Sequence, residues 1–181
     1  MTTSEYIKKI DALLKKIEDA KFLLTSVSEV HARQVDRIFD KGLNADGGKI
    51  GSYNSTNPIY VDPDKSPKKF PLKGKTGEGT FKNGKAHKTG YFDSYKAFRQ
   101  AISREAGFVN LRLTENLKFD FTNSLTLSGS VFQTGTKRKE NSNKVEGQID
   151  KYGIRTWQLS QSEIDIFRAS VKQKLFNALN D

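Results

Sequence analysis

The hydrophobic pattern that starts at Leu117 predicts an antiparallel hairpin. Apolar and polar residues alternate at Leu117, Phe119 and Phe121, as they do on a half-buried strand whose successive side chains point to opposite faces. A second apolar run covers residues 125–131, and Asn123 and Ser124 lie between the two runs. The interpretation is a turn at 123–124 that joins two strands.

The final helix is predicted to begin at Ser160. Its hydroxyl and the Glu163 carboxylate have the spacing of a capping box, in which each side chain bonds the other residue's backbone N–H. The apolar residues that follow recur every three or four positions, at Ile164, Phe167, Val171, Leu175 and Leu179. Such a stripe suits packing on a sheet, so the predicted core is a helix laid on strands.

Two shorter helices and one strand are predicted elsewhere in the second half. Residues 91–106 place Tyr91, Tyr95, Phe98 and Ile102 on one helical face, and Gly107 is positioned as a C-cap. Residues 109–113 alternate as a strand that leads into Leu117. Asn141 or Ser142 is predicted to cap a helix that Gly153 ends.

Residues 2–39 are predicted to be helical. Thr2 and Glu5 suit a capping box, and apolar residues keep a period near 3.6 with no glycine or proline between them. One helix over 5–39 would be about 52 Å long, more than a small core covers, so part of its stripe would meet another subunit. Two shorter helices, broken at Thr25–Ser26 and folded back on the sheet, are the alternative.

Residues 43–90 form a basic insertion without a sustained period. This segment contains all four prolines of the chain, and short strands are predicted at 59–61 and 80–81. Eight lysines and one acid, Glu78, give residues 65–89 a local charge of +7; the lysines are Lys65, Lys68, Lys69, Lys73, Lys75, Lys82, Lys85 and Lys88. The segment is either an arm that orders against a phosphate backbone or partner, or a solvated loop.

These elements predict one α+β domain over residues 1–181. An antiparallel β-sheet is flanked by a long N-terminal helix within 1–42 and by the C-terminal helix. A long basic Gly/Lys/Pro-rich loop is inserted at 43–90, and residues 91–181 supply the remaining helices and the hairpin.

Composition points to partners. Hydrophobic residues make up 35% of the chain, which is low for a domain that is all core, so part of it is extended, solvated or buried only in an assembly. A net charge of +10 favours an acidic partner, with solubility alone as the alternative. Lys137, Arg138 and Lys139 form a second basic turn. Lysine outnumbers arginine, which argues against sequence-specific base reading.

Composition also bears on the compartment. The chain has no cysteine, so disulfides and thiolate metal sites are excluded and a reducing compartment, or a virion assembled in one, is expected. No signal-peptide pattern and no run of about 20 apolar residues is present. Synthesis in the cytoplasm without a membrane partner is the expectation.

Motifs for catalysis are missing. Gly74-Lys75-Thr76 resembles the end of a phosphate-binding loop, but Lys69 stands where its first glycine belongs. The only histidines, His31 and His87, lie in unlike contexts, and His31 is expected on a helix surface. No catalytic residue, metal or cofactor is predicted, and the chain is not expected to be an enzyme.

The chain contains several short motifs: the helix end at 38–42, Leu113-Thr114-x-x-Leu117, Tyr152-Gly153, Arg155-Thr-Trp157 and Leu159-Ser160-x-x-Glu163. In this order they resemble the virion-morphogenesis, or tail-completion, proteins of tailed bacteriophages. The likeness covers residues 30–42 and 108–170. This chain lacks the family's glycine between Thr114 and Leu117, its histidine before Tyr152, and its prolines around Arg155.

The resemblance implies a structural protein at the head–tail neck or tail terminus of a virion, made in the host cytoplasm. It implies a homo-oligomeric ring, six- or twelvefold, stacked on portal or connector and tail proteins around a DNA channel. The lysines of 65–89 would then face packaged DNA, non-specifically, or reach the adjacent ring. The alternative function is a non-enzymatic basic nucleic-acid-binding accessory protein.

Overall fold

The computed structural model describes residues 2–62, 66, 76–80, 86–128 and 131–180. The fold is mixed helix and sheet, so the α+β class is confirmed. In chain order the elements are α1 Thr3–Glu18, α2 Ala20–Val35, a π-helical turn Asp36–Asp40, β1 Ile59–Val61, β2 Thr76–Thr80, β3 Ala86–Phe92, α3 Tyr95–Ala101, α4 Asn116–Thr122, β4 Thr126–Ser128, β5 Val131–Gln133, α5 Lys139–Tyr152, a 3₁₀ turn Ile154–Thr156, and α6 Gln161–Asn180.

The N-terminal helix is broken, but at Asp19 rather than at Thr25–Ser26. Asp19 is extended (φ −74°, ψ 107°), and its carboxylate accepts from the Lys21 N–H, so this residue ends α1 and caps α2. The capping box of Thr2 and Glu5 at the start of α1 is confirmed. Ser26 lies inside α2, where its hydroxyl is 2.7 Å from that of Ser170 on α6.

The main core is helical, and the predicted helix-on-sheet core is wrong. Its buried apolar side chains come from α2, the π-helical turn, α4 and two loop segments: Val35, Ile38, Phe39, Ile50, Val109, Leu117 and Phe121. None of these residues lies in a strand. Trp157 packs on this cluster, with its ring 6.0 Å from that of Phe39 and 5.4 Å from that of Phe121.

Residues 117–121 are helix α4, not a strand. Leu117 and Phe121 are four residues apart and share the buried face of the helix with Asp120, whereas Phe119 is 63% exposed. The alternation that suggested a strand therefore comes from two buried positions and one exposed aromatic ring. The hairpin is displaced to β4 and β5, which pair Thr126 with Gln133.

The preceding segment, 109–113, is also not a strand. Leu111 has a φ of +53°, which breaks any extended run at its centre. His31, expected on a helix surface, is buried, with Nε2 3.0 Å from the Phe121 carbonyl oxygen. Its place beside α4 depends on that helix, which the sequence pattern did not indicate.

A three-stranded antiparallel sheet forms a separate layer in the order β1-β3-β2. Strand β1 lies where it was predicted. It pairs with β3, and Ile59 is opposite Phe92. Helix α3 covers this sheet through Phe98 and Ile102 and is shorter than the predicted 91–106. It ends before Ser103, whose φ is +56°, so Gly107 is not its cap.

The predicted ends of the last two helices are confirmed, except for the start of α5. The Ser160 hydroxyl accepts from the Glu163 N–H at 3.2 Å and the Glu163 carboxylate accepts from the Ser160 N–H at 2.7 Å, so this capping box is confirmed. Gly153 ends α5 with a φ of +81°. Helix α5 starts earlier than expected, after Arg138, which places Asn141 within its first turn.

One buried ion pair joins these parts. Arg37 in the π-helical turn donates from Nε to Glu163 at 2.8 Å, and both side chains are nearly inaccessible to solvent. Its remaining nitrogens donate to the carbonyl oxygens of Leu43, Thr156 and Gln158 at 2.9, 3.4 and 2.7 Å. Because the charges and donors satisfy one another, the pair fixes α6 against α2 and the loops between them.

We expect Glu163→Ala to lower the free energy of unfolding by about 3–5 kcal/mol, because it leaves the Arg37 charge buried without a counter-ion. Urea denaturation followed by circular dichroism measures this. The matched control is Glu29→Ala, which removes an exposed partner of Arg33 and should cost about 0.5 kcal/mol or less. Equal losses in the two variants would contradict the role given to Arg37–Glu163.

Candidate functional site

A groove of about 370 Å³ opens between helix α3, the segment 109–117 and helix α5. Three of its lining side chains are tyrosines, Tyr53, Tyr95 and Tyr152. Its cations are Arg99 on α3 and the exposed Lys144 and Lys151 on α5. The groove therefore combines aromatic walls with positive charge.

Arg99 forms the floor of this site. It is 1% exposed, and its Nε donates to the Glu105 carbonyl oxygen at 2.6 Å. Its Nη2 donates at 3.0 Å to both the Asn110 side-chain oxygen and the Arg112 carbonyl oxygen. The guanidinium lies 4.2 Å from the centre of the Tyr53 ring, a cation–π contact. Within the described part of the chain no carboxylate forms an ion pair with Arg99.

The groove wall contains two residues in the left-handed backbone region. Leu111 has a φ of +53° and Glu115 a φ of +65°, conformations that cost free energy in residues other than glycine. Strain of this kind persists only where surrounding contacts hold it. Here the contacts that hold residues 111–115 are ion pairs, and they lie on both sides of this segment.

The acids near the groove are already paired. The Glu115 carboxylate accepts from Arg104 at 3.0 Å and from Arg112 at 2.8 Å. Asp40, at the end of the π-helical turn, binds Arg112 and also accepts from Lys118 at 2.8 Å. The cations of the groove itself therefore keep their charge uncompensated by these carboxylates.

Asp120 holds the start of α5, and so its position beside the groove. Its carboxylate accepts from the Asn141 amide at 3.0 Å and from the backbone N–H groups of Arg138 and Lys137 at 3.1 and 3.3 Å. Burial by itself raises the pKa of this carboxyl, but the hydrogen bonds outweigh burial and the pKa lies below its ordinary value.

Four residues of the phage-like motifs meet at the groove: Leu113, Thr114, Leu117 and Tyr152. The others lie elsewhere. Gly153 ends α5, Trp157 belongs to the core, and Ser160 and Glu163 form the capping box. Arg155 is exposed and pairs with Asp46, and Leu159 is 39% exposed. The motifs from 153 to 163 thus hold the fold together rather than line one site.

The two basic segments have different outcomes. Lys137 and Arg138 are exposed in a bend before α5, and Lys139, also exposed, is the first residue of that helix; their contact with a partner stays a prediction. Seven lysines of the predicted arm lie outside the described residues, namely Lys65, Lys68, Lys69, Lys73, Lys75, Lys82 and Lys85. The backbone of Lys88 lies in β3. The function of the arm stays a prediction.

Sequence reasoning missed Arg99, Asn110 and Tyr53. One indication was present: Arg99 is four residues after Tyr95 and next to Phe98, on the predicted apolar face of a helix. A charged residue at such a position is buried only when partners satisfy it. Those partners, Asn110 among them, lie in the 103–112 segment, which forms neither a helix nor a strand although residues 109–113 alternate as a strand does.

The described residues contain no group of three or more His, Cys, Asp or Glu side chains placed to hold a metal ion. No helix among them is long and apolar enough to cross a membrane. Comparisons with protein-family models, curated proteins and solved structures found no match for this chain.

We expect Asp120→Asn to destabilise the protein at neutral pH by about 1–3 kcal/mol, because the buried donors lose a charged acceptor. The lowered pKa means that ionised Asp120 stabilises the fold above its ordinary pKa of 3.8, and that this contribution disappears as pH falls through the folded-state value. As pH falls from about 5 to about 2, the free energy of unfolding should therefore decrease less in the variant than in the wild type.

Urea midpoints measured across that range test the expectation. Asp165→Asn is the control, since Asp165 is an exposed acid 3.7 Å from Arg168 and should change neither the midpoint nor its pH dependence. Parallel pH profiles for Asp120→Asn and the wild type would show that Asp120 has no such role.

Proposed function

We propose that this chain is a structural virion protein of a tailed phage, without catalysis. In this proposal it forms a ring at the head–tail neck or tail terminus, between portal or connector and tail proteins. Two things support the proposal: the resemblance of its short motifs, and an apolar surface on helices α1 and α6 that suits a neighbouring subunit. The apolar surface carries the structural part of the argument.

Helix α1 exposes hydrophobic side chains along its length. No residue of this 16-residue helix is buried, and Tyr6, Ile7 and Leu14 are each more than 50% exposed. Ile7 and Leu14 are two turns apart on one face. An acid follows each of them by one turn, Asp11 and Glu18, so the exposed stripe has an acidic border.

Helix α6 carries a complementary stripe. Phe167, Val171, Leu175 and Leu179 remain half-exposed along one face, and Phe176 is 62% exposed. Arg168 and Lys172 border the stripe as exposed cations. An acid-bordered apolar stripe and a base-bordered one on the same molecule favour contact between two copies of this chain.

The contact joins two different surfaces, α1 of one copy and α6 of the next. Heterologous contacts of this kind generate rings when the rotation between copies closes. A six- or twelvefold ring is the number that the phage resemblance implies. Residues 65–89 would then supply lysines to the DNA channel or to an adjacent ring.

We expect purified wild-type protein to associate in a concentration-dependent manner, and Leu14→Glu to weaken association at least about tenfold, or 1.4 kcal/mol. The reason is the cost of burying a charge at the contact. Sedimentation velocity and negative-stain microscopy measure this. Ala12→Glu is the matched control, because it adds the same charge at an exposed position on another face of α1.

The charge border gives a sharper test of the same contact. Asp11→Lys with Glu18→Lys should weaken association, and adding Arg168→Glu with Lys172→Glu should restore it. A wild-type protein that stays monomeric at every concentration would overturn the ring proposal. Association that is indifferent to Leu14→Glu would overturn the α1–α6 contact.

The second candidate is a nucleic-acid-binding accessory protein, which the net charge of +10 and the exposed turn at 137–139 favour. It predicts tight DNA binding by the monomer, with log affinity falling against log salt by about 0.9 per phosphate neutralised. Gel shifts across a salt series measure this slope. Reversing the charges of Lys68, Lys69, Lys73 and Lys75 should make this slope shallower. Weak DNA binding by the wild-type monomer favours the structural function instead.

A further inference from the structure

We propose that the groove beside Arg99 binds an acidic peptide segment of a partner, with a carboxylate on the guanidinium and a neighbouring apolar side chain against the groove wall. This inference goes beyond the proposed ring and does not depend on it. The groove is on α3 and α5, whereas the apolar stripes are on α1 and α6.

The first argument is the unused half of the Arg99 fork. A guanidinium has five N–H donors, and Arg99 commits one on Nε and two on Nη2 to internal acceptors. Among the described residues no acceptor bonds Nη1, and this nitrogen is not one of the atoms sealed from solvent without a partner. The side chain is nevertheless 1% exposed and lines the groove. A carboxylate oxygen that reaches the floor of the groove can therefore accept from Nη1, the nitrogen of this fixed cation that has no internal acceptor.

The second argument is the charge balance of the groove. Lys144 and Lys151 stand at its rim; the Lys144 ammonium donates to the Asn141 side-chain oxygen, and the Lys151 ammonium lies 5.0 Å from the centre of the Tyr152 ring. Glu115 is the one acid among the described lining residues, and two arginines already neutralise it. Three cations around a partly apolar cleft select for an anion.

The third argument favours a peptide over a phosphate group. Apolar side chains, among them Val109, Leu113 and Leu117, make up much of the wall, and they match the side chains of a peptide better than a phosphodiester chain.

The volume agrees with a short segment. A cavity of about 370 Å³ is at the small end of ligand sites, which range over about 300–1,000 Å³. That is room for two or three residues. Only a short stretch of the partner therefore needs to enter.

The test is a titration of the full-length, isotope-labelled protein followed by backbone amide chemical shifts. The probes are acetyl-Leu-Glu-Leu-amide, its Gln analogue and inorganic phosphate. We expect the Glu peptide to cause saturable shifts in 109–117 and 144–152, and the Gln analogue to bind about tenfold more weakly or worse, since it loses the charge-assisted hydrogen bond.

Variants at the rim avoid the risk that a change at Arg99 unfolds the protein. Lys144→Glu with Lys151→Glu should weaken binding of the Glu peptide about tenfold or more. Lys49→Glu changes an exposed lysine outside the groove and outside both apolar stripes, and it should leave that binding unchanged. Their amide spectra report whether the fold is kept. Saturable binding of phosphate to the same residues would assign the groove to phosphate and overturn the peptide proposal. Equal binding of both peptides, or shifts spread over all lysines, would overturn an anion site.

Discussion

The Arg37–Glu163 pair is the contact on which the described structure depends. Its two residues are 126 positions apart, and it closes the molecule by tying the end of the N-terminal helices to the start of the last helix. The same guanidinium also bonds carbonyl groups at 43, 156 and 158. Because a guanidinium that is buried needs every one of these acceptors, the loops cannot move independently without exposing an unmet charge. Polar geometry, more than hydrophobic area, therefore specifies how these helices meet.

The groove follows from the same arrangement. Asp40, three residues beyond Arg37, holds Arg112 and Lys118, which places the strained segment 111–115 beside the core. Asp120 holds the first turn of α5, which places the opposite wall. Arg99 then sits between the two walls on α3. Ion pairs and hydrogen bonds that also maintain the fold therefore position the walls of this site.

Local rules predicted the parts of this fold that depend on neighbours in sequence. The capping boxes at Thr2 and Ser160, the stop at Gly153 and strand β1 all follow from a few adjacent residues. Helix α4 was not predicted, because the spacing of Leu117, Phe119 and Phe121 fits a strand as well as it fits a helix with one exposed ring. The break at Asp19 was also not predicted, because an aspartate caps a helix only where its backbone is already non-helical, as it is at this residue. The groove could not be predicted, because Arg99, Asn110 and Tyr53 meet through residues 103–112. This segment forms neither a helix nor a strand, and its alternation at 109–113 suggested a strand instead.

At several positions of this chain a charged residue is buried or a large apolar residue is exposed, against the usual preference of each type. Arg37, Arg99, Asp120 and Glu163 lie inside, while Tyr6, Ile7, Leu14 and Phe176 lie outside. The buried charges of Arg37, Asp120 and Glu163 are satisfied internally, so they fix one conformation and leave little for a partner to add. Exposed apolar groups do the reverse: they add nothing to the stability of the isolated chain and gain free energy only when another surface removes them from water. In the ring that we propose, such a chain would keep part of its hydrophobic driving force for the contact between copies, while its buried charges help to hold its own shape.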